Sequence, residues 1–359
     1  MNLKIGNKEY SSILFFISET LFLSVGLSEI LSLSKNDSII AGIIGIILSF
    51  IFLYIVLKFN DYEKDLNIFE KIDKLYGKYI GTFINIFLVI LSSFYFSYVL
   101  WSQNVYVQNK YLEETSPIIT TLFFMLPVIL LVRSNMKTIS KVSIAIFFIT
   151  ILELLFSYFN LYSKIDFNNF KPILNTSFKD IIISSIKYAS YSITPVIMLL
   201  TVSKNEIEYP KILNKNLYIF NLISGIKFLL TIFFLIGIFG IDLSKLFYYP
   251  EYSLMKKINT LNFIQNVQNI LTVNSIYNLL ISEVLSLYFI KTYFKYKNIN
   301  NIFLYIIIII LTFISINLFS NSTQGYNFIK NNIIYLYTIP IFILLIISNI
   351  KKIDFKAYF

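Results

Sequence analysis

The chain has 359 residues, 57% of them hydrophobic and 14% charged, with a mean hydropathy of +0.71 and a formal net charge of +10. A soluble domain carries about 25% charged residues, so this composition excludes a soluble globular protein. The absence of Cys and His also excludes disulfides, thiolate catalysis, haem ligation and most zinc or iron sites, and leaves proton coupling to carboxylates or Lys.

Repeated apolar runs of about 18 residues or more predict an all-α polytopic membrane protein. In chain order the predicted spans are 12–33, 38–58, 80–103, 117–132, 140–162, 179–202, 214–240, 266–290, 301–320 and 332–350. The first run follows a short segment carrying Lys4 and Lys8. It exceeds a signal-peptide core and has no small-residue cleavage site behind it, so a retained first helix is expected. Residues 60–78 are too charged to span. Their apolar positions Leu66, Phe69, Ile72 and Leu75 recur every three residues, which predicts a cytoplasmic amphipathic helix at the surface.

With the N-terminus inside, nineteen Lys and Arg fall in inside loops and nine in outside loops. That bias predicts both termini in the cytoplasm, and it reads the basic balance as loop charge rather than a nucleic-acid surface. No stretch between runs is long enough to build its own core, so 1–359 reads as a single transmembrane domain. Ten spans divide five plus five, and an odd-numbered half inserts upside down relative to its partner. This is the inverted-repeat transporter arrangement, with repeats of about 11–162 and 178–350. The symmetry comes from counting, not from repeated residues.

Five ionisable residues sit well within spans: Glu19, Glu153, Lys187, Lys227 and Glu283. Such residues are costly in lipid and are read as functional or as internal ion pairs. Lys227 is read as snorkelling from a cytoplasmic helix end. The others are read as groups that place a cation or proton, with the acids as alternative partners for Lys187. Span 1 also carries Gly26 between Ser24 and Ser28, seven residues beyond Glu19 and on the same helix face. Small residues at mid-membrane mean either close helix packing or an unwound segment lining a cavity. In span 6, Pro195 follows Ser190, Tyr191, Ser192 and Thr194. It removes a donor to Tyr191 and restricts Thr194, which predicts a break near 190–194 or a plain kink. Interrupted helices at corresponding positions of two halves point to a transporter binding site. Their half-helix ends suit the carboxylate and ammonium of an amino acid. Polar stripes spaced 3, 4, 4 run down span 3 (Tyr95, Tyr98, Ser102, Tyr106) and span 8 (Ser275, Asn278, Ser282, Ser286), with Glu283 beside the second.

Several local patterns resemble one family in the right order. "NIFEKIDKLYGKYIGTF" (67–83) places Gly77, Lys78 and Gly81 after an amphipathic helix. "ETSPIITT" (114–121) opens span 4, "KIDFNNFKPIL" (164–174) links spans 5 and 6, and "LFYYPEYSLMKKINTLNFIQNVQNI" (246–270) precedes span 8. Together they resemble the B-subunit family of spore germination receptors, within the amino acid–polyamine–organocation transporter superfamily. The chain departs from the family pattern at Gln265 and Asn266, at Ser24 where Gly is common, and in lacking Pro after Leu31.

The resemblance implies a ten-helix LeuT-type fold and residence in a spore inner membrane; broken helices 1 and 6 are read from the residues, and a cell membrane as the other location and no enzymatic activity are expected. It also implies partnership with an A-type membrane subunit and a C-type lipoprotein, and a role in sensing a small nutrient, often an amino acid. The expected site takes Ser24, Val25, Gly26 and Leu27 from span 1, Tyr98 from span 3, Ser190, Tyr191, Ser192 and Thr194 from span 6, and Asn278 from span 8. Glu19, Glu153, Lys187 and Glu283 are the expected ion or proton groups. No cofactor or metal is expected; a coupling proton or Na+ is the open question. An ion-coupled amino acid permease is the alternative. A membrane-embedded glycan polymerase or acyl transferase is a weaker one, opposed by the lack of His and of a long Arg-bearing outer loop.

Overall fold

The computed structural model describes residues 4–258, 273–319 and 321–357, without the side chains of Ser24 and 352–357. The start of predicted span 8 (266–272), the later part of the 246–270 pattern with Gln265 and Asn266, and the last residue of predicted span 9 lie outside the described residues. The described chain is helical, and its one β-bridge joins Ile5 to Ile207. Seven helical segments in it are long and apolar enough to cross a membrane, and Pro117–Arg133 and Asn301–Asn317 are shorter apolar helices. The protein is therefore an all-helical polytopic membrane protein.

Span 1 comprises α1 (Asn7–Leu21), a π-helical turn (Phe22–Gly26) and α2 (Leu27–Ser34). It starts five residues earlier than hydropathy predicts because polar anchors extend it. Asn7 donates to the Tyr209 carbonyl at 3.1 Å and Tyr10 donates to the Leu199 carbonyl. Lys35, at φ 47°, reverses the chain into α3 (Ser38–Asn60). Asp37 accepts the amides of Leu174 (2.6 Å) and Thr176 (2.9 Å), tying this turn to the segment before span 6. Burial alone would push its carboxyl up, but those amides prevail and hold it below its ordinary value.

A capping box opens α4 (Ile68–Tyr76). Asn67 Oδ1 accepts the Phe69 and Glu70 amides, and Glu70 accepts the Asn67 amide at 2.7 Å. Gly77, at φ 80°, ends it. The predicted apolar positions Phe69, Ile72 and Leu75 are buried, but against the bundle. Even Lys71 is buried, donating to the Asn60 carbonyl at 2.9 Å.

Next come α5 (Lys78–Lys110), α6 (Pro117–Arg133) and α7 (Met136–Tyr162). Span 6 is α8 (Phe178–Ile193) running into a 3₁₀ segment (Thr194–Thr201). After α9 (Pro210–Ser244), kinked at Gly240, comes the short α10 (Pro250–Met255). The described remainder holds α11 (Val273–Tyr296), α12 (Asn301–Asn317), α13 (Ser322–Ile333), a second π-helical turn (Ile334–Thr338) and α14 (Ile339–Ala357). The last span thus begins ten residues before the predicted 332. Asn321 caps α13 on the Gln324 amide at 2.7 Å, and the polar turn that hydropathy rejects remains helical.

Burial sorts the helices. α1 is buried at all but two of its positions and packs on α7, α8, α9 and α11. By contrast α6, α7 and α12 expose large apolar side chains such as Leu126, Phe159 and Ile309. The polar residues lie on the central helices, where protein rather than lipid surrounds them.

Candidate functional site

Both expected interruptions are present, but neither is unwound. In span 1 the chain widens into a π turn and Gly26 keeps helical angles (φ −63°, ψ −38°). In span 6 it tightens into a 3₁₀ helix, with Thr194 at φ −56°, ψ −43°. The sequence accounts for this: Pro195 disrupts the α ladder without expelling its neighbours from the helical region. The π turn packs on α8 just before its 3₁₀ continuation. A Cβ on Gly26 would lie 2.8 Å from Tyr191 Cδ2 and 2.7 Å from Phe22 Cδ1. Gly26 therefore serves close packing. Thr194 donates back to the Ser190 carbonyl at 2.6 Å, and its hydroxyl stands 2.9 Å from that of Thr338 in the second π turn.

Two small cavities, each about 10 Å³, flank span 1 at this level. That is room for about one water apiece. The first lies among Phe22, Leu23 and Leu27 of span 1, Ser102 and Tyr106 of α5, Ser275 and Leu279 of α11, and Tyr249–Tyr252 at α10. The second lies among Val25, Tyr98, Trp101, Ser102, Val105, Tyr248, Tyr249 and Tyr326. Ser102 and Tyr249 border both. The residues leading into α10 close them with aromatic rings: Tyr106 meets Tyr249 edge-on at 4.8 Å between ring centroids, and Tyr248 lies tilted against Tyr326 at 5.5 Å.

Of the predicted site residues, Val25, Leu27 and Tyr98 line these cavities. The Ser24 side chain lies outside the described atoms. Gly26 and Tyr191 pack just behind. Ser190, Ser192, Thr194 and Asn278 are buried but do not line either cavity; Ser192 bonds the Ala189 carbonyl, and Asn278 bonds the Asn274 carbonyl at 3.2 Å. The two polar stripes do face the interior, where Ser92 of α5 donates to the Ser286 carbonyl at 3.0 Å and Thr20 of α1 meets Ser282. Sequence reasoning missed the segment Tyr248–Tyr252. Its cue was a proline-started helix rich in Tyr directly before a polar-striped span.

The ionisable groups pair differently from expectation. Lys187 bonds Glu29, which also accepts the Tyr191 hydroxyl. Glu29, near the far end of span 1, is fully buried. Its acid is sustained there by an ammonium and a phenol reaching across from α8. Glu19 bonds Lys227 Nζ at 3.0 Å and the Ser224 hydroxyl at 2.7 Å. Glu251 of α10 stands 3.5 Å from the same ammonium. Lys227 is not snorkelling. It lies midway along α9, roughly 25 Å from Pro210 at about 1.5 Å per residue, too deep to reach a helix end. Glu153 and Glu283 stay apart from these clusters. Both carboxylate oxygens of the fully buried Glu283, and Oε2 of Glu153, have no hydrogen-bond partner among the described residues.

The bundle thus belongs to the class of polytopic membrane proteins with polar groups in the interior and aromatic-lined cavities. Residues 13–324 match the family model for spore germination proteins, the spore permeases. The chain belongs to that family, as a germination-related, transporter-like membrane subunit. No curated protein matches it.

Proposed function

We propose that the chain is the nutrient-binding, transporter-fold subunit of a spore germinant receptor. In this reading it has ten spans in a five-plus-five inverted repeat of LeuT type, with Pro117–Arg133 and Asn301–Asn317 among them. It sits in a spore inner membrane or cell membrane with both termini cytoplasmic, beside an A-type membrane subunit and a C-type lipoprotein. A small nutrient, an amino acid in the leading form of the proposal, binds at mid-membrane and triggers germination.

One observation carries the reading. The π turn of span 1 lies against two aromatic-walled cavities, and Tyr191 of span 6, three residues before the 3₁₀ turn, packs behind it at Gly26. π turns concentrate at functional sites, and altered helical pitch leaves backbone groups without their usual partners, which a ligand can satisfy. The cavities are too small for an amino acid as they stand, so binding requires α10 to move outward. Lids of this kind close over substrate in many transporters and enzymes.

The test is calorimetric titration of L-alanine into the purified protein in nanodiscs. Saturable binding in the wild type and its loss in Gly26→Leu support the site. Unchanged affinity in Gly26→Leu overturns it. The ion-coupled permease reading shares the same site, and uptake of labelled L-alanine into proteoliposomes separates the two. A receptor binds without accumulating substrate, whereas a permease accumulates it and responds to an imposed proton or Na+ gradient.

A further inference from the structure

The charge cluster at Lys227 is unequal. Two acids reach one ammonium, Glu19 at 3.0 Å and Glu251 at 3.5 Å. Glu19 is braced by Ser224 through its other oxygen and is 1% exposed, while the Glu251 side chain is 19% exposed. One ammonium neutralises one acid. Glu19 is the closer and the better held, so Glu251 is the acid left for a second cation. Glu251 also lines the first cavity, together with Tyr106, Tyr249 and Tyr252.

Those rings sit where cations already gather. The Lys110 ammonium is 5.4 Å from the Tyr249 centroid and 5.2 Å from that of Tyr252, and Lys256 is 4.9 Å from Tyr252. An aromatic face attracts a cation within about 6 Å, most strongly where water is excluded. A carboxylate beside π-faces suits an organic ammonium. A bare Na+ requires several oxygen ligands, and among the described residues the one carboxylate of this wall is Glu251, beside the Ser102 and Ser275 hydroxyls and the Tyr106, Tyr249 and Tyr252 phenols.

We propose that the cavity behind α10 binds the ammonium group of a small primary amine, with Glu251 as its counter-charge and the Tyr106–Tyr249–Tyr252 walls as its cage. Exchange of Glu251 from Lys227 to the ligand then couples occupancy to the seating of α10. The inference rests on the nutrient-binding reading above and names the chemistry that the site selects.

The test titrates the full-length protein in nanodiscs with L-alanine, ethylamine and propionate, each in sodium and in potassium buffer. L-alanine and ethylamine are expected to bind and propionate is not, with no difference between the buffers. Glu251→Gln is expected to weaken both amines at least tenfold. Glu251→Asp, which keeps the charge, is expected to recover part of that loss and shows that a folded variant can be measured. Propionate binding as tightly as L-alanine overturns the proposal, as do full amine affinity in Glu251→Gln, binding that requires Na+, or failure of every amine to bind. If a ligand without an amine binds and Gly26→Leu abolishes its binding, the nutrient site stands and only the ammonium assignment falls.

Discussion

Span 1 carries two buried acids, and the bundle settles them in opposite ways. Glu29 is met by Lys187 and by the Tyr191 hydroxyl, so one acid faces one cation with a further donor. Glu19 shares its cation with Glu251, an acid on a short helix outside the span. The first cluster joins two central helices and is balanced. The second joins two central helices to the short α10 and sets two acids on one ammonium. A closed ion pair pins helices together, whereas an uneven one leaves charge for something else to answer.

Removing Lys227 is expected to have the largest effect. Lys227→Met leaves the buried Glu19 and the partly exposed Glu251 without this cation, a change that costs about 3–5 kcal/mol. Thermal unfolding in nanodiscs checks this, and Glu19→Gln in the same chain is expected to recover much of the loss. A Lys227→Met variant as stable as wild type would break the comparison. Lys187→Met is expected to cost less, about 2 kcal/mol, because Tyr191 still donates to Glu29 and the lysine is partly exposed. Equal losses at the two lysines would mean that the clusters are not different in kind.

Gly26→Ala tests the packing between them. Its methyl group would meet the Phe22 and Tyr191 rings at under 3 Å, and overpacking of this kind costs about 1–3 kcal/mol. Comparing its effect on ligand affinity with its effect on unfolding separates a site residue from a spacer. The smallest effect is expected at Asp37. Its folded pKa is depressed by the Leu174 and Thr176 amides, so its contribution is present above the unfolded value of about 3.9 and is lost as pH falls through the lower folded value. The stability gap between wild type and Asp37→Asn is therefore expected to be steady near neutral pH and to close below about pH 4. A gap that persists in acid would show that the bonds to Asp37 do not depend on its charge.

Much of this was legible in the sequence. Hydropathy located the helices because lipid imposes a length on them. Pro195 and the Ser-flanked Gly26 marked the two changes of pitch, though not their sense, since a helix can answer the same local weakness by unwinding, widening or tightening. The inward faces of α5 and α11 followed from period alone. The pairings were not legible. Lys187 and Glu29, or Lys227 and Glu19, are far apart in the chain, and only the packing of α8 and α9 against span 1 brings them together. Depth was a usable clue that went unread. Lys227 lies in the middle of its predicted run, which argues for a buried partner over a surface-seeking side chain. Glu251 carried no hydropathy signal, because α10 is too short to register as a span.

The sole tryptophan offers the most direct test. Trp101 lines the second cavity, packed on Tyr98 and Phe319. The second cavity shares Ser102 and Tyr249 with the first, so a ligand that enters beneath α10 is expected to alter the surroundings of Trp101. Titration of the wild-type protein with L-alanine is expected to give a saturable change in Trp101 emission, with a midpoint equal to the calorimetric one and shifted at least tenfold in Glu251→Gln. Heat of binding with no change in Trp101 emission would put the ligand elsewhere and contradict the site.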